Sequence, residues 1–396
     1  MTNKSIRNNR IIGIEKIQEF LLIVYIILSP VYKCLNNISL FGVNPMIIVI
    51  CILLATYVIN INNILIDKQK NFFSFVILFV FCIELLFAKK PPTIGWVLAM
   101  LLYVFFLQTD VRINVNNIYT AFMVSAIIAG IFSVGLVISN GTIVRTAFLV
   151  DGSISPIAIV IALFCDSRSY PKLWELLKIV AVISSIIVLL LGMSRSRLLI
   201  VAICFAIYFI IRIYKIITNG GKVSLKNIFL FGFGAIACSF ALISTEVQEL
   251  VSPITDRLFN EGLGSMGRDV ELEFGLEMFN EHYILGGGWG QHILQDLNGS
   301  FVAYNNHCAY VAILARGGLL LAVPVFMSYF LLLYKSIKVR RYSSVALMLM
   351  LIFLLLSYGN AGMFNYTVCS LIPIIVVTIK RGISNENQQS PLSVTR

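Results

Sequence analysis

The chain has 396 residues, 59% of them hydrophobic and only 12% charged, which is far more apolar surface than a water-soluble core of this length needs. That composition excludes an ordinary soluble globule, and the long unbroken apolar runs exclude an outer-membrane barrel, whose short strands alternate polar and apolar residues. The formal net charge of +11 does not point to nucleic acid, because the basic residues are scattered through short polar breaks with no dense patch and no aromatic interleaving.

The fold class read from this pattern is all-α, a polytopic integral membrane protein. A bilayer core about 30 Å thick takes roughly 20 apolar residues per helical span, and the chain supplies such runs repeatedly. Residues 1–17 place Lys4, Arg7, Arg10 and Lys16 ahead of the first run, with no small-residue cleavage site behind it, which predicts a retained anchor after a cytoplasmic N-terminal segment. About twelve transmembrane helices are expected, at 18–35, 45–64, 72–88, 91–108, 118–139, 147–165, 174–192, 197–217, 227–245, 306–334, 343–358 and 362–379. In the sixth, the purely apolar part begins only after Pro156. Residues 18–245 thus hold the first nine helices, and 246–305 form one large external loop between the ninth and the tenth. Residues 306–379 hold the last three, and 380–396, rich in Asn, Gln and Ser, read as a disordered cytoplasmic tail. The eight cysteines fall singly, mostly inside apolar runs and with no CxxC pair, as small membrane-embedded hydrophobes do. No internal repeat relates the two halves, which weighs against transporters built from duplicated units.

Charge orients this layout. With the N-terminus inside, only Lys33, Lys89, Lys90, Arg145, Arg195, Arg197, Arg257, Arg268 and Arg316 of the 30 Lys and Arg residues fall outside. The remaining 21 lie on the inner side, as the positive-inside rule demands. Both termini are then cytoplasmic and residues 246–303 external. That loop carries Glu246, Glu249, Asp256, Glu261, Asp269, Glu271, Glu273, Glu277, Glu281 and Asp296 against Arg257 and Arg268, so the basic overall balance reports orientation and not an acidic partner.

Within the loop, residues 269–284 have helical periodicity, with Leu272, Leu276, Phe279 and Tyr283 on one face and Glu273, Glu277 and Glu281 opposite. These glutamates read first as a solvated face, with a catalytic role as the alternative. The run Gly286 to Gly290 ends that helix, as a turn or as a place of close backbone approach. Arg268 stands at the helix start, where a guanidinium and the helix terminus suit a phosphate; a salt bridge to a nearby glutamate is the other reading. Arg195 and Arg197 open a span from the outside, against the charge bias. They call for an anionic ligand at headgroup level, or snorkel to lipid phosphates. Arg145 and Arg316, also outer, complete a candidate cluster drawn from separate parts of the chain. His307, flanked by Asn306 and followed one turn later by Tyr310, is a candidate proton acceptor, or a structural histidine. No HExxH, DxD or GxSxG occurs, so no metal site and no serine-hydrolase elbow is expected. Glu84, inside the third span, is a functional suspect without a nameable partner.

The order and outward placement of these elements resemble the O-antigen polymerase/ligase superfamily, membrane glycosyltransferases that join lipid-linked sugars on the outer face of the bacterial cytoplasmic membrane. The resemblance rests on Ser194-Arg195-Ser196-Arg197 opening a helix, on Arg268 before the loop helix with its end at Gly286 to Gly290, and on His307-Cys308-Ala309-Tyr310-Val311 leading to Arg316 and Gly318. Cys308 stands where the family usually has Asn, and Arg316 where it commonly has an acidic residue. The resemblance implies polymerisation of repeat units into a capsule, exopolysaccharide or O-antigen by inverting transfer from a polyprenyl diphosphate. It implies Arg268 and His307 as catalytic residues, and Arg195, Arg197, Arg145, Arg316, Asn306 and Tyr310 as substrate-binding ones. It also implies no cofactor, and as partners the polyprenyl-diphosphate-linked oligosaccharide, membrane lipids, and a flippase and chain-length regulator of the same pathway. A ligase moving finished glycan onto an acceptor, and a lipid-linked sugar transporter, are the alternatives.

Overall fold

The computed structural model describes residues 3–37, 43–59, 72–87, 91–109, 113–141, 145–165, 171–219, 268–295, 301–304, 307–341, 344–359 and 362–389. The helices are α1 (Asn3–Leu28), α2 (Pro45–Ile59), α3 (Phe72–Leu86), α4 (Ile94–Phe106), α5 (Val115–Asn140), α6 (Ile154–Phe164), α7 (Pro171–Gly192), α8 (Arg195–Asn219), α9 (Arg268–Glu281), α10 (Ala309–Lys338), α11 (Ser344–Gly359), α12 (Tyr366–Cys369) and α13 (Leu371–Gln389). Eleven of the twelve expected spans coincide with helices; the ninth, 227–245, lies outside the described residues, as does the loop up to 267. Among the described residues, four helices are long and apolar enough to cross a membrane: Val115–Asn140, Lys172–Gly192, Ala309–Lys338 and Tyr366–Ile383.

Local chemistry sets the ends. Asn114 accepts a bond from the Asn116 N–H at the start of α5, and Gly141 closes that helix in the left-handed region, the pattern expected of an N-cap and a C′ glycine. The Asn44 side chain caps α2 through the Met46 N–H at 2.7 Å, with Pro45 in the first turn.

Three departures from the expected all-α layout have local causes. Residues β1 (Ile293–Gln295) and β2 (Phe301–Ala303) form an antiparallel hairpin with Ile293 opposite Ala303; Asn298-Gly299 between two short apolar runs is a hairpin signal. The sixth span is helical only from Ile154, because Pro156 is tolerated in a first turn and not deeper. Residues 145–153 before it are a short 3-10 turn and loop. The last helix runs on to Gln389 where a disordered tail is expected after 379, since no proline follows until Pro391.

The core is a continuous apolar cluster in which α1, α2, α4, α5, α11 and α13 contribute Tyr25, Tyr57, Tyr103, Phe122, Phe353 and Ile375. Several buried hydroxyls pair internally, which offsets their loss of water. Tyr25 donates to the Tyr366 carbonyl at 2.7 Å, Ser125 to that of Ile26 at 2.8 Å, and Tyr57 shares a 2.9 Å bond with Thr109. Large apolar side chains such as Phe79, Ile131, Leu173 and Phe330 face outward, as lipid solvent allows.

The bundle has two chemically different ends. At one, Lys380 donates to Thr109 O at 2.6 Å, Arg381 to Ile113 O at 2.8 Å and Lys178 to Cys165 O at 2.8 Å. These three cations belong to the expected inner set. At the other, the segments after α1, before α6, before α8, before α10 and after α11 converge, with the Asp151 N–H bonded to Pro30 O at 2.7 Å.

Candidate active site

Those converging segments enclose a cavity of about 190 Å³ lined by Tyr32, Lys33, Arg145, Asp151, Ser194, Ser196, Arg197, His307 and Asn365, among others. Three cations thus face one carboxylate, and they come from parts of the chain far apart in sequence.

Each is held by its local fold. Helix α7 ends at Gly192, Met193 turns the chain through positive φ, and Ser194 O accepts the Leu198 N–H in the first turn of α8. Arg195 is therefore the first residue of a long helix and Arg197 the third, at the positive end of the dipole. Arg197 Nη2 lies 2.9 Å from Asp151 Oδ1, and both side chains are buried. The Ser153 N–H and hydroxyl also donate to Oδ1, at 3.0 and 2.7 Å, while Oδ2 has no hydrogen-bond partner. Burial alone would raise the Asp151 carboxyl, but the Arg197 guanidinium, the two Ser153 donors and the facing Asn365 amide outweigh it and hold the group below its ordinary value. Asp151 is thus a fixed anion beside a fixed cation. Arg145 stacks over Phe148 at 5.0 Å.

His307 Nδ1 lies 2.7 Å from Glu271 Oε2. With the Nδ1 proton donated to that carboxylate, Nε2 keeps its lone pair. Glu271 reaches it because α9 docks through Val270, Phe274 and Met278, which pack with Tyr304 and Ala315. This corrects the expected apolar face: Leu276 and Tyr283 point outward. Helix α9 is apolar on more than one side, and the side with the buried Gly275 is the one that docks. Glu273, Glu277 and Glu281 are exposed, as a solvated face predicts.

The glycine-rich run locks α9 to α10. Gly287 and Gly288 donate to Ala315 O and Arg316 O at 2.7 and 3.0 Å, while Leu319 and Leu320 donate back to Tyr283 O and Ile284 O at 2.8 and 3.1 Å. Gly318, at φ 57° and ψ −165°, breaks α10 to free those groups. A Cβ on Gly286 would meet the Arg316 carbonyl, and one on Gly318 the Ile284 carbonyl, so only glycine fits either place.

The remaining expected residues lie elsewhere. Arg316 is 1% exposed and donates to Gly290 O at 2.8 Å and Tyr304 O at 3.2 Å, 4.4 Å over the Trp96 ring. Tyr310 donates to Leu354 O at 2.9 Å and packs on Phe326 and Tyr329. Arg195 is half-buried and outside the cavity lining. Arg268 opens α9 as expected, its side chain lying outside the described residues, as does Asn306 altogether. Asp151 and Glu271 were not among the expected site residues. Glu271 shares a stripe with Phe274, Gly275 and Met278 at i, i+3, i+4 and i+7, and that stripe is its signal. Asp151 has none, since its partner is 46 residues away. Among the described residues no group of three His, Cys, Asp or Glu side chains converges as a metal site would.

No curated protein matches the chain. A family model described as O-antigen ligase matches residues 179–325, from the middle of α7 into the kinked α10. That interval holds Arg195, Arg197, Arg268 and His307, and the match is consistent with the O-antigen polymerase/ligase superfamily of multi-pass membrane proteins.

Proposed function

We propose that the chain is a glycosyltransferase that polymerises lipid-linked oligosaccharide repeat units into a surface polysaccharide, by inverting transfer from a polyprenyl diphosphate. The observation that carries this reading is the meeting of Lys33, Arg145 and Arg197 with the His307–Glu271 pair at one cavity. The three cations, offset by Asp151, leave a surplus of two positive charges for a doubly anionic diphosphate. His307 Nε2 takes the proton of an acceptor hydroxyl while that oxygen bonds to the anomeric carbon. The bond from that carbon to the diphosphate oxygen breaks on the opposite face, which inverts the centre. The leaving diphosphate carries its electron pair into the arginine cluster, which meets charge as it develops. Arg268, opening the helix that carries Glu271, belongs to the same reading.

Buried ionic groups support an enzyme over a transporter: among the described residues Asp151, Arg197, Arg316 and Glu84 are the buried charged side chains, and all belong to the end that holds the cavity. With the Lys380 and Arg381 end facing the cytoplasm, both termini are cytoplasmic and the cavity opens to the outer face of the bacterial inner membrane. A flippase delivering substrate and a chain-length regulator are the partners this role entails.

The test is chain extension by purified protein on a lipid-linked oligosaccharide, with and without chelator. Wild type extends in both, whereas Arg197→Ala and His307→Ala lose activity; full extension by both variants defeats the reading. The family description favours a ligase as the second reading. Deletion separates the two: single lipid-linked repeats accumulate without a polymerase, unattached long chains without a ligase.

A further inference from the structure

A second cavity, of about 380 Å³, lies between the end of α3 and the turn after α9. It is lined by Glu84, Phe87 and residues 281–288 and shares no lining residue with the His307 cavity. Glu84 is 4% exposed. Its Oε2 accepts the Trp289 Nε1–H at 2.7 Å, and its Oε1 has no hydrogen-bond partner. A carboxyl oxygen left unsatisfied in so apolar a setting is costly and asks for a donor from outside the protein.

The polarity of this cavity is opposite to that of the first. The backbone N–H groups of His282, Gly286, Gly287 and Gly288 are all committed, to Met278 O, His282 O, Ala315 O and Arg316 O. Those four donors are closed to an anion entering here. It meets the carboxyl groups of Glu84 and Glu281 and the negative end of the α9 dipole, with the His282 ring as the one cationic option among the described lining residues. Lys89 and Lys90 follow in sequence, outside the described residues. Two aromatic rings stand at the rim: Phe87 is 72% exposed and Tyr283 56% exposed. Carboxyl acceptors inside and exposed aromatic faces at the mouth suit a ring with apolar C–H faces and many hydroxyl donors.

We infer that this cavity is a saccharide-binding subsite, in which Glu84 Oε1 receives a sugar hydroxyl and Phe87 and Tyr283 carry the face of the ring. The assignment rests on the proposed glycosyl transfer for the identity of the sugar, a residue of the lipid-linked glycan or of its acceptor. Its position fits that role. Trp289 bonds Glu84 on one side and packs 5.7 Å from the Phe364 ring on the other, and Asn365, the next residue, lines the His307 cavity. Contacts through Trp289 and Phe364 thus join the walls of the two cavities, and the assignment entails a glycan with its reacting end near His307 and a further sugar at Glu84.

The experiment uses the full-length protein in detergent and, as probe, the lipid-free oligosaccharide released by mild acid from the native lipid-linked glycan. Saturation-transfer NMR measures its binding to wild type, Glu84→Gln, Tyr283→Ala and Arg197→Ala. Glu84→Gln keeps the acceptor for Trp289 but puts amide protons where the free oxygen stands, and is expected to weaken binding about tenfold or more. Tyr283→Ala, on an exposed rim, serves if Glu84→Gln fails to fold, and is expected to weaken binding as well. Arg197→Ala binds the lipid-free sugar as wild type does. Equal binding by wild type and both cavity variants overturns the inference. So does binding of phosphatidylethanolamine vesicles, in place of the saccharide, that is lost in Glu84→Gln. Chain extension measured on the same wild-type protein reports separately on the proposed reaction: saccharide binding without any transfer sinks that reading and leaves the subsite standing.

Discussion

His307 and Glu271 are 36 residues apart in the chain and 2.7 Å apart in space, joined because α9 folds back along α10. A carboxylate on Nδ1 selects the tautomer that leaves Nε2 basic and stabilises the imidazolium once it has taken a proton. Glu271→Gln is therefore expected to lower turnover about tenfold to a hundredfold while leaving donor binding unchanged, and His307→Ala to lower it by about 10² or more. Steady-state kinetics decide this: a Glu271→Gln effect confined to KM removes Glu271 from the proton path.

The Asp151–Arg197 pair sets a stability limit in acid. The folded carboxyl is held below its unfolded value of about 3.9. It therefore contributes stability fully above that pH and loses it as the pH falls through the folded value. Melting curves in detergent are expected to be flat in this contribution down to about pH 4 and to drop below it. Asp151→Asn at neutral pH removes the counter-charge beside the buried Arg197 guanidinium, with an expected loss of about 3 kcal/mol. The double variant Asp151→Asn/Arg197→Met recovers part of that loss, and equal melting of the single and double variants would count against the pairing.

Arg316 separates a structural from a substrate role. Its guanidinium ties Gly290 and Tyr304 to α10 with both groups buried, so Arg316→Ala is expected to cost about 3 kcal/mol or more of stability. Activity is then lost with folding and not before it. A variant with wild-type melting and no turnover would restore Arg316 to the substrate.

Gly318→Ala and Gly286→Ala test the lock between α9 and α10. Each adds a Cβ against backbone atoms at positive φ, and strain of about 1–3 kcal/mol is the minimum expected. Limited proteolysis reads the result: faster cleavage between 268 and 304 is expected, and unchanged cleavage would show that the backbone interlock is dispensable.

Much of the frame was legible in the sequence because lipid solvent imposes a simple rule on apolar length. Eleven helices coincide with expected spans, and Arg145, Arg197 and His307 meet at one cavity that charge counting alone places on one side. What escaped depended on pairing. The i, i+4 periodicity of α9 fits two apolar faces equally, and only the docked partner, Ala315 with Tyr304, decides which one is buried. Asp151 sits in a stretch that hydropathy assigns to a span, although Pro156 marks the later start of the helix. Arg316 looks like an outer cation in any linear count, yet its carbonyl partners arrive from the glycine run and from Tyr304.

The break at Gly318 has a consequence for how the molecule opens. The amides of Leu319 and Leu320, inside an apolar helix, are bonded to Tyr283 and Ile284 carbonyls of the turn after α9. The hydrogen-bond ladder of a membrane helix is thus completed by a water-exposed turn. Those two amides cannot exchange with solvent deuterium unless that turn lifts away, and the turn cannot lift without leaving donors bare within the bilayer. Exchange at Leu319 and Leu320 would therefore time the lifting of the segment that carries Glu271 toward His307.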